Sequence, residues 1–120
     1  MTGTIKKEQS CTLSLGDQCI CIKDILLIEG DGNYSKFQMN DGSKIISCRT
    51  LKYFEAYLLD RRFIRPSKSA IVNMNAIVAI DFNIHKIIKL INNHQVTISR
   101  RQNKPLKELF KAAERQLIKA

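Results

Sequence analysis

The sequence FIRPSKSAIVN, residues 63–73, has a short apolar β-forming run at each end and a basic, hydroxyl-rich middle. The middle, residues 65–69, carries two positive charges, two hydroxyls and a proline. An ordinary surface turn is usually built from Gly, Asn or Asp. The pattern therefore predicts two strands joined by a loop whose cationic and hydroxyl groups meet a polyanionic ligand.

The chain has 120 residues, 44% of them hydrophobic and 26% charged, which suits one domain with a substantial core. Its longest strictly apolar runs, such as residues 76–80, are far shorter than the roughly 20 residues of a membrane-spanning helix. The start, MTGTIKKEQS, lacks the apolar core of a signal peptide. We expect a cytoplasmic protein without membrane insertion, in which residues 1–9 are a tail and residues 10–120 form the domain.

Charge is distributed unevenly along the chain, whose formal net charge is +9. Residues 1–60 carry 7 Lys or Arg and 8 Asp or Glu, whereas residues 61–120 carry 13 and 3. Such a basic half is typical of a surface that meets nucleic acid or an anionic membrane. A solvated basic face without a ligand is the alternative interpretation.

The four cysteines, Cys11, Cys19, Cys21 and Cys48, lack the C-x₂₋₄-C pairs of a zinc site. Cys19 and Cys21 are two positions apart in a β-like run, so we expect them to share one face of a strand. The expected role is packing as small buried apolar groups. No disulfide framework is expected in a cytosolic chain.

Neither histidine belongs to a catalytic pattern. His85 and His94 lie in or beside predicted turns, with no nucleophile or metal ligands at informative spacing. The sequence also contains no phosphate-binding glycine loop of the Walker type. We therefore expect a protein that is not an enzyme, with no cofactor and no small-molecule substrate.

Short apolar runs separated by turn signals about every eight to twelve residues are typical of a mainly β domain. We predict strands near residues 11–15, 18–22, 24–30, 33–39, 43–48, 63–65, 70–72, 76–81, 86–91 and 95–99. Asp41-Gly42 predicts a hairpin turn in which both central residues have positive φ. Asn92-Asn93 predicts the turn before the last strand.

Two helices are expected among these strands. Thr50 is expected to cap the first, in which Leu51, Phe54 and Leu58 fall on one face. The second is expected to begin near Pro105, because proline suits the first helical position. Its predicted buried face consists of Leu106, Leu109, Phe110, Ala113 and Leu117.

Three connections carry polar or basic side chains beside strand ends: Asn33–Lys36, Arg65–Ser69 and Ser99–Lys104. Lys and Arg neutralise phosphates, whereas Ser, Asn and Gln hydrogen-bond phosphates or base edges. No helix-turn-helix or zinc-finger pattern is present, so loops on a β scaffold would contact the nucleic acid. Aromatic residues make up only 7% and Trp is absent, which disfavours a base-stacking RNA platform.

Four blocks of the chain resemble, in order and spacing, the LytTR DNA-binding domain usually found in bacterial response regulators. They are DILLIEGDGNYSKF, TLKYFEAYL, FIRPSKSAIVNMNAIVAI and VTISRRQNKPLKEL, between about residues 11 and 110. The third block, with its F-x-R…S…[IV]-V-N-x-x-x-I pattern, is the most specific. The resemblance implies an elongated, mainly β fold of short strands and small sheets with two short helices.

The resemblance also implies which residues contact DNA. Ser35 falls where the family places a base-contacting side chain, with Lys36 beside it. Lys68 falls at the contact position of the FIRPSKS loop, and Arg101 at the arginine of the final loop. Expected supporting or phosphate-directed groups are Arg65, Ser67, Ser69 and Arg100.

One departure from the family concerns the FIRPSKS loop. Many relatives carry His-Arg where this chain has Ser67-Lys68, so the loop keeps its charge but loses the planar bidentate fork of arginine. Phosphate binding is expected to survive this change. Asn73 matches the asparagine of the family's Val-Asn pair, and its expected role is to hold the loop.

These observations favour sequence-specific binding of double-stranded DNA by a bacterial transcriptional regulator that places loop side chains in the major groove. The resemblance implies binding to imperfect direct repeats, with self-association of two domains on one site. Fuller regulators carry a receiver domain, so the chain is either a stand-alone regulator or the end of a larger protein. The alternatives are a protein-interaction module and a nonspecific DNA-binding protein.

Overall fold

A computed structural model of the protein describes the backbone of residues 12–119 and the side chains of residues 12–113. The predicted tail, residues 1–9, and Cys11 lie outside the described residues.

The mainly β fold with two α-helices is confirmed. The strands are β1 (Thr12–Leu15), β2 (Gln18–Cys21), β3 (Ile25–Asp31), β4 (Tyr34–Met39), β5 (Lys44–Ser47), β6 (Phe63–Ser67), β7 (Ala70–Asn73), β8 (Ile77–Asp81), β9 (Ile87–Leu90) and β10 (Gln95–Thr97). The helices are α1 (Leu51–Leu58) and α2 (Arg100–Lys119), with short 3-10 helices at Ile22–Asp24, Leu59–Arg61 and Met74–Ala76.

The strands form three antiparallel sheets. The central sheet has the order β5-β4-β3-β7-β6, a second sheet has the order β10-β9-β8, and β1 pairs only with β2. One hydrophobic core joins the central sheet to α1 and the β1–β2 hairpin, through residues such as Phe54 and Leu13. A second core joins the central sheet to the second sheet and α2, through Ile88 and Leu106. The central sheet is thus covered on both faces.

Strand β3 lies in the middle of the central sheet and is buried on both faces. Ile25, Leu27 and Ile28 are fully buried, and Leu26 is nearly so. The register against β4 shifts between Ile25 and Leu27. This bulge places Ile25 and Ile28 in the first core and Leu26 and Leu27 in the second. A strand buried on both sides explains why DILLIEG is a continuous apolar run rather than an alternating one.

The predicted apolar face of α1 is confirmed, because Leu51, Phe54 and Leu58 are all buried. Thr50 occupies the position before the helix in an extended conformation, with φ −80° and ψ 166°. Its hydroxyl makes no capping hydrogen bond, so that part of the prediction was wrong. The first turn is closed instead by the N–H of Tyr53, which donates to the carbonyl of Thr50 at 3.2 Å.

Helix α2 begins at Arg100, earlier than the predicted start near Pro105. Ser99 caps it, because the N–H of Gln102 lies 3.1 Å from the Ser99 carbonyl and 3.3 Å from its hydroxyl. Pro105 lies inside the helix, where it has no N–H to donate to the carbonyl of Arg101. The prediction was wrong because serine is the stronger start signal here. Arg100 and Arg101 therefore belong to the first helical turn and not to a loop.

The apolar face of α2 is only partly buried. Leu106 is buried and Phe110 is half-buried, as predicted. Leu109 is 46% exposed and Ala113 is exposed, so the prediction was wrong for both. Leu117 lies outside the described side chains. Within the described part of the chain, neither helix is long and apolar enough to span a membrane.

The turn between β4 and β5 lies where Asp41-Gly42 predicted it. The N–H of Gly42 donates to the carbonyl of Met39 at 3.0 Å. Gly42, with φ +90°, is the one residue of this turn with positive φ, so the expectation of two was wrong. A tight turn followed by a left-handed glycine also closes a hairpin. The hydroxyl and the N–H of Ser43 donate to the carboxylate of Asp41 and lower its pKa.

Cys19 and Cys21 do not pack in the core, contrary to the prediction. Cys19 and Cys48 are exposed and Cys21 is half-buried. Strands β1 and β2 pair so that Leu13 lies opposite Ile20, and these two residues form the buried face of the hairpin. Because side chains alternate along a strand, Cys19 and Cys21 share the other face. Their common orientation was predicted correctly, and their burial was not.

Candidate nucleic-acid interface

The turn between β6 and β7 and the first turns of α2 line one cleft of about 930 Å³. The predicted contact residues in its lining are Arg65, Ser67, Lys68, Ser69 and Arg101. Helix α1 contributes Glu55, the 3-10 helix that follows it contributes Leu59, and Leu109 of α2 adds a further apolar side chain. Two connections more than thirty positions apart in sequence are thereby brought together.

A second, smaller cleft of about 290 Å³ joins the same β6–β7 turn to the turn between β3 and β4. Gly30 and Gly32 line it from one side, and Lys52 of α1 from another. Lys68 lines both clefts and is exposed. The β6–β7 turn therefore lies between the first turns of α2 on one side and the end of β3 on the other. Of the other two predicted connections, Ser99–Lys104 contributes to the larger cleft, whereas no residue of Asn33–Lys36 lines either cleft.

The backbone of the β6–β7 turn is held by its neighbours. The carbonyl of Pro66 accepts from the N–H of Ser99, just before α2, at 2.8 Å. The carbonyl of Ser69 accepts from the N–H of Gly30, near the end of β3, at 2.9 Å. A Cβ at Gly30 would lie 3.0 Å from the side chain of Leu51, so glycine permits this close approach of β3 and α1.

The two serines of the turn hydrogen-bond within it. The hydroxyl oxygens of Ser67 and Ser69 lie 3.3 Å apart, and the N–H of Ser69 donates to the Ser67 hydroxyl at 3.2 Å. Lys68, between them, has an exposed ammonium group that no such bond restrains. The turn therefore combines a hydrogen-bonded backbone with one exposed cationic side chain.

Arg65 lies at the base of the turn and is directed inward. Its Nη1 lies 2.8 Å from Oε2 of Glu55, forming a salt bridge to α1. Its Nε and Nη2 donate to the carbonyls of Ser67 and Lys68 at 3.3 and 2.9 Å. The expectation left open whether Arg65 supports the loop or binds phosphate, and in the structure Nε, Nη1 and Nη2 of Arg65 all bond within the protein.

Ser35, predicted to contact a base, is fully buried. Its hydroxyl donates to the carbonyl of Arg49 at 2.6 Å, in the segment that leads into α1. Ser35 shares a face of β4 with Phe37, which packs in the first core. A hydroxyl buried and bonded in this way is not presented to a ligand, so we leave Ser35 out of the proposed contact residues.

Lys36 and Arg100 lie outside the two clefts. Lys36 is half-buried on β4 and lies opposite Glu29 of β3. The carboxylate of Glu29 accepts from Nε2 of Gln38 at 2.6 Å and lies 3.3 Å from Nε2 of His94. Arg100 is exposed at the start of α2, beside Arg101.

Three polar residues near the interface were missed by the sequence analysis. Lys52 lines the smaller cleft and Gln102 the larger one. Arg49 lies with its guanidinium carbon 4.3 Å from the centre of the Tyr53 ring, a cation–π contact. Gln102 lay within a predicted contact segment and was open to prediction, whereas Lys52 lies beside the β6–β7 turn only through the packing of α1.

Asn73 does not line either cleft and is buried at the end of β7. Its side-chain amide donates to the carbonyl of Ile25 at 2.8 Å, and its Oδ1 accepts from the N–H of Asn75 at 2.9 Å. These bonds fix the end of β7 to β3. No group of three or more His, Cys, Asp or Glu that could hold a metal ion occurs among the described residues.

The antiparallel β scaffold thus places Lys68 of the β6–β7 turn beside Arg101 of α2 in one cleft and beside Lys52 of α1 in the other. The LytTR family model, described as LytTr DNA-binding domain, matches residues 18–111, so the chain belongs to the LytTR family of DNA-binding domains. A search of curated proteins gave no match.

One similar solved structure is a LytTr DNA-binding domain from Bacillus cereus, described as part of a methyl-accepting/DNA response regulator. The two chains are 24% identical, and the TM-score is 0.68. The match covers 82% of this chain and 94% of the Bacillus cereus chain. This likeness supports the fold.

Proposed function

We propose that this domain binds double-stranded DNA sequence-specifically and acts as a transcriptional regulator in the bacterial cytoplasm, without catalytic activity. The observation that carries the proposal is the shared cleft of Lys68 and Arg101, which come from separate elements and are both exposed. Two cations on a rigid scaffold suit a duplex, whose phosphates and base edges recur at fixed spacing.

The two residues have different roles in this proposal. Arg101 donates to a guanine, because its planar fork reaches two acceptors on one base. Lys68 neutralises a phosphate, since an ammonium is a flexible point charge. Further contacts to the DNA sugar-phosphate backbone come from Arg100, from Lys36 and from the hydroxyls of Ser67 and Ser69. The family membership further supports binding to direct repeats, with two domains on one site, as the output module of a response regulator.

The proposal is tested by selecting bound duplexes from a random pool at near-physiological salt and sequencing them. We expect enrichment of a short element, repeated in direct orientation. Binding without enrichment would make the domain a nonspecific DNA-binding protein. Absence of binding would favour a protein-interaction module, in which the basic surface meets an acidic partner.

Lys68→Ala is expected to weaken binding to all duplexes alike. If about six phosphates are neutralised, log K falls with log salt at a slope near −5, and the loss of one phosphate contact makes that slope shallower by about 0.9. Binding titrations at several salt concentrations, on the selected element and on scrambled DNA, measure both slopes. A changed base preference in Lys68→Ala would contradict the phosphate role and assign this lysine to base recognition.

A further inference from the structure

A carboxylate lies within the basic cleft described above. Among the described residues that line it, Glu55 is the one acidic side chain, and it is about one-third exposed. An unpaired carboxylate at this place would repel DNA phosphates. Its partner is Arg65, whose Nη1 lies 2.8 Å from Oε2 of Glu55. Within this salt bridge the two charges offset each other, so that Glu55 repels DNA phosphates less and Arg65 attracts them less.

The other two nitrogens of the Arg65 guanidinium, Nε and Nη2, form hydrogen bonds with the backbone at the β6–β7 turn. Nε and Nη2 donate to the carbonyls of Ser67 and Lys68. With the bonds from Ser99 and Gly30, all four carbonyls from Pro66 to Ser69 accept a hydrogen bond. Lys68 is therefore carried by a backbone that is already ordered, and an ordered loop loses less conformational entropy on binding.

We propose that Glu55 and Arg65 together determine specificity: Glu55 directs the Arg65 guanidinium away from the DNA backbone and onto the turn that carries Lys68. Arg65 is then a positioning residue and not a phosphate contact. The inference rests on the proposed function and deepens it. Because the charge of Arg65 is paired with Glu55, affinity for DNA of any sequence is lower. The ordered turn favours binding to the selected element, so the ratio of specific to nonspecific affinity rises.

Arg65→Lys tests the positioning role. Lysine keeps the charge and can still pair with Glu55, but it lacks the planar fork that reaches two carbonyls. Affinity for the selected element is expected to fall about tenfold or more, because lysine cannot make both hydrogen bonds that order the turn. Affinity for mixed-sequence DNA and the salt slope are expected to stay unchanged. Arg62→Lys, at an exposed position outside both clefts, is the matched control and is expected to bind like the wild type.

Glu55→Gln tests whether Glu55 keeps the positive charge of Arg65 from binding a DNA phosphate. The neutral amide no longer offsets the charge of the guanidinium, so Arg65 is expected to attract one further phosphate. On mixed-sequence DNA the salt slope is expected to steepen by about 0.9, the value for one further phosphate contact. Asp60→Asn is the matched control, because Asp60 is an exposed carboxylate near the end of α1 that does not line the cleft. It changes the net charge equally and is expected to alter the slope less.

The proposal is overturned if Arg65→Lys binds the element as tightly as the wild type, or if Asp60→Asn steepens the slope as much as Glu55→Gln. Urea unfolding of each variant establishes that the fold is intact. If the wild type prefers no element, the proposed function fails. The salt dependence of Glu55→Gln binding to mixed-sequence DNA then still shows whether the salt bridge keeps Arg65 from binding a phosphate.

Discussion

Phe54→Ala is expected to lower the free energy of unfolding by about 3–5 kcal/mol, the range for deleting a buried aromatic side chain. Phe54 is fully buried at the centre of α1. Its ring meets Phe37 of the central sheet edge-on, with centroids 4.9 Å apart, and Tyr53 at 5.1 Å. The substitution leaves a cavity between α1 and the sheet, and it also loses these ring contacts.

Urea unfolding, followed by circular dichroism, measures this loss. Tyr57→Ala is the matched control, because Tyr57 belongs to the same helix but is 48% exposed, and it is expected to change stability by less than about 1 kcal/mol. If Phe54→Ala does not fold, Phe54→Leu gives a smaller loss that is measurable. A loss below about 1 kcal/mol for Phe54→Ala would contradict the packing of α1 on the central sheet.

Arg101→Ala is expected to weaken binding to the selected element by about 1–3 kcal/mol and to relax preference at one base pair. Arg101 is exposed in the first turn of α2 and shares the cleft with Lys68. Because Ser99 caps the helix and also donates to the β6–β7 turn, the position of Arg101 is fixed relative to that turn. The guanidinium fork recognises two acceptors on one base, and alanine has neither donor.

Arg101→Lys distinguishes the contribution of the planar guanidinium to base recognition from the contribution of its positive charge. It is expected to lose the base preference while it keeps the salt slope of the wild type, since one cation remains. Lys23→Ala, at an exposed position that lines neither cleft, provides the control for a general loss of charge. Competition titrations on elements with single base changes measure the preference. If Arg101→Ala weakens all duplexes equally, Arg101 binds phosphate and another residue recognises the base.

Most strands and the apolar face of α1 follow from local pattern, and they were predicted correctly. Strand β6 is an exception, because it was predicted near residues 63–65 and extends to Ser67. Arg65, Pro66 and Ser67 therefore belong to a strand, and only Lys68 and Ser69 form the turn. Val96 is buried and Thr97 exposed in β10, as alternation requires. The start of α2 was predicted wrongly because two start signals, Ser99 and Pro105, compete within one short stretch. A serine cap closes hydrogen bonds to the first turn, whereas proline only tolerates a place in it.

The sequence by itself determined the β class, the basic second half, the family and the segments that meet at the cleft. These properties depend on composition, on periodicity and on the order of short motifs, all of which are local. Only the tertiary structure decided the burial and the partners of individual side chains. Ser35 is buried because its strand face is covered by α1, and Arg65 is paired because α1 carries Glu55 to within 2.8 Å of it. Burial and charge pairing depend on residues distant in sequence, so no local pattern predicts them.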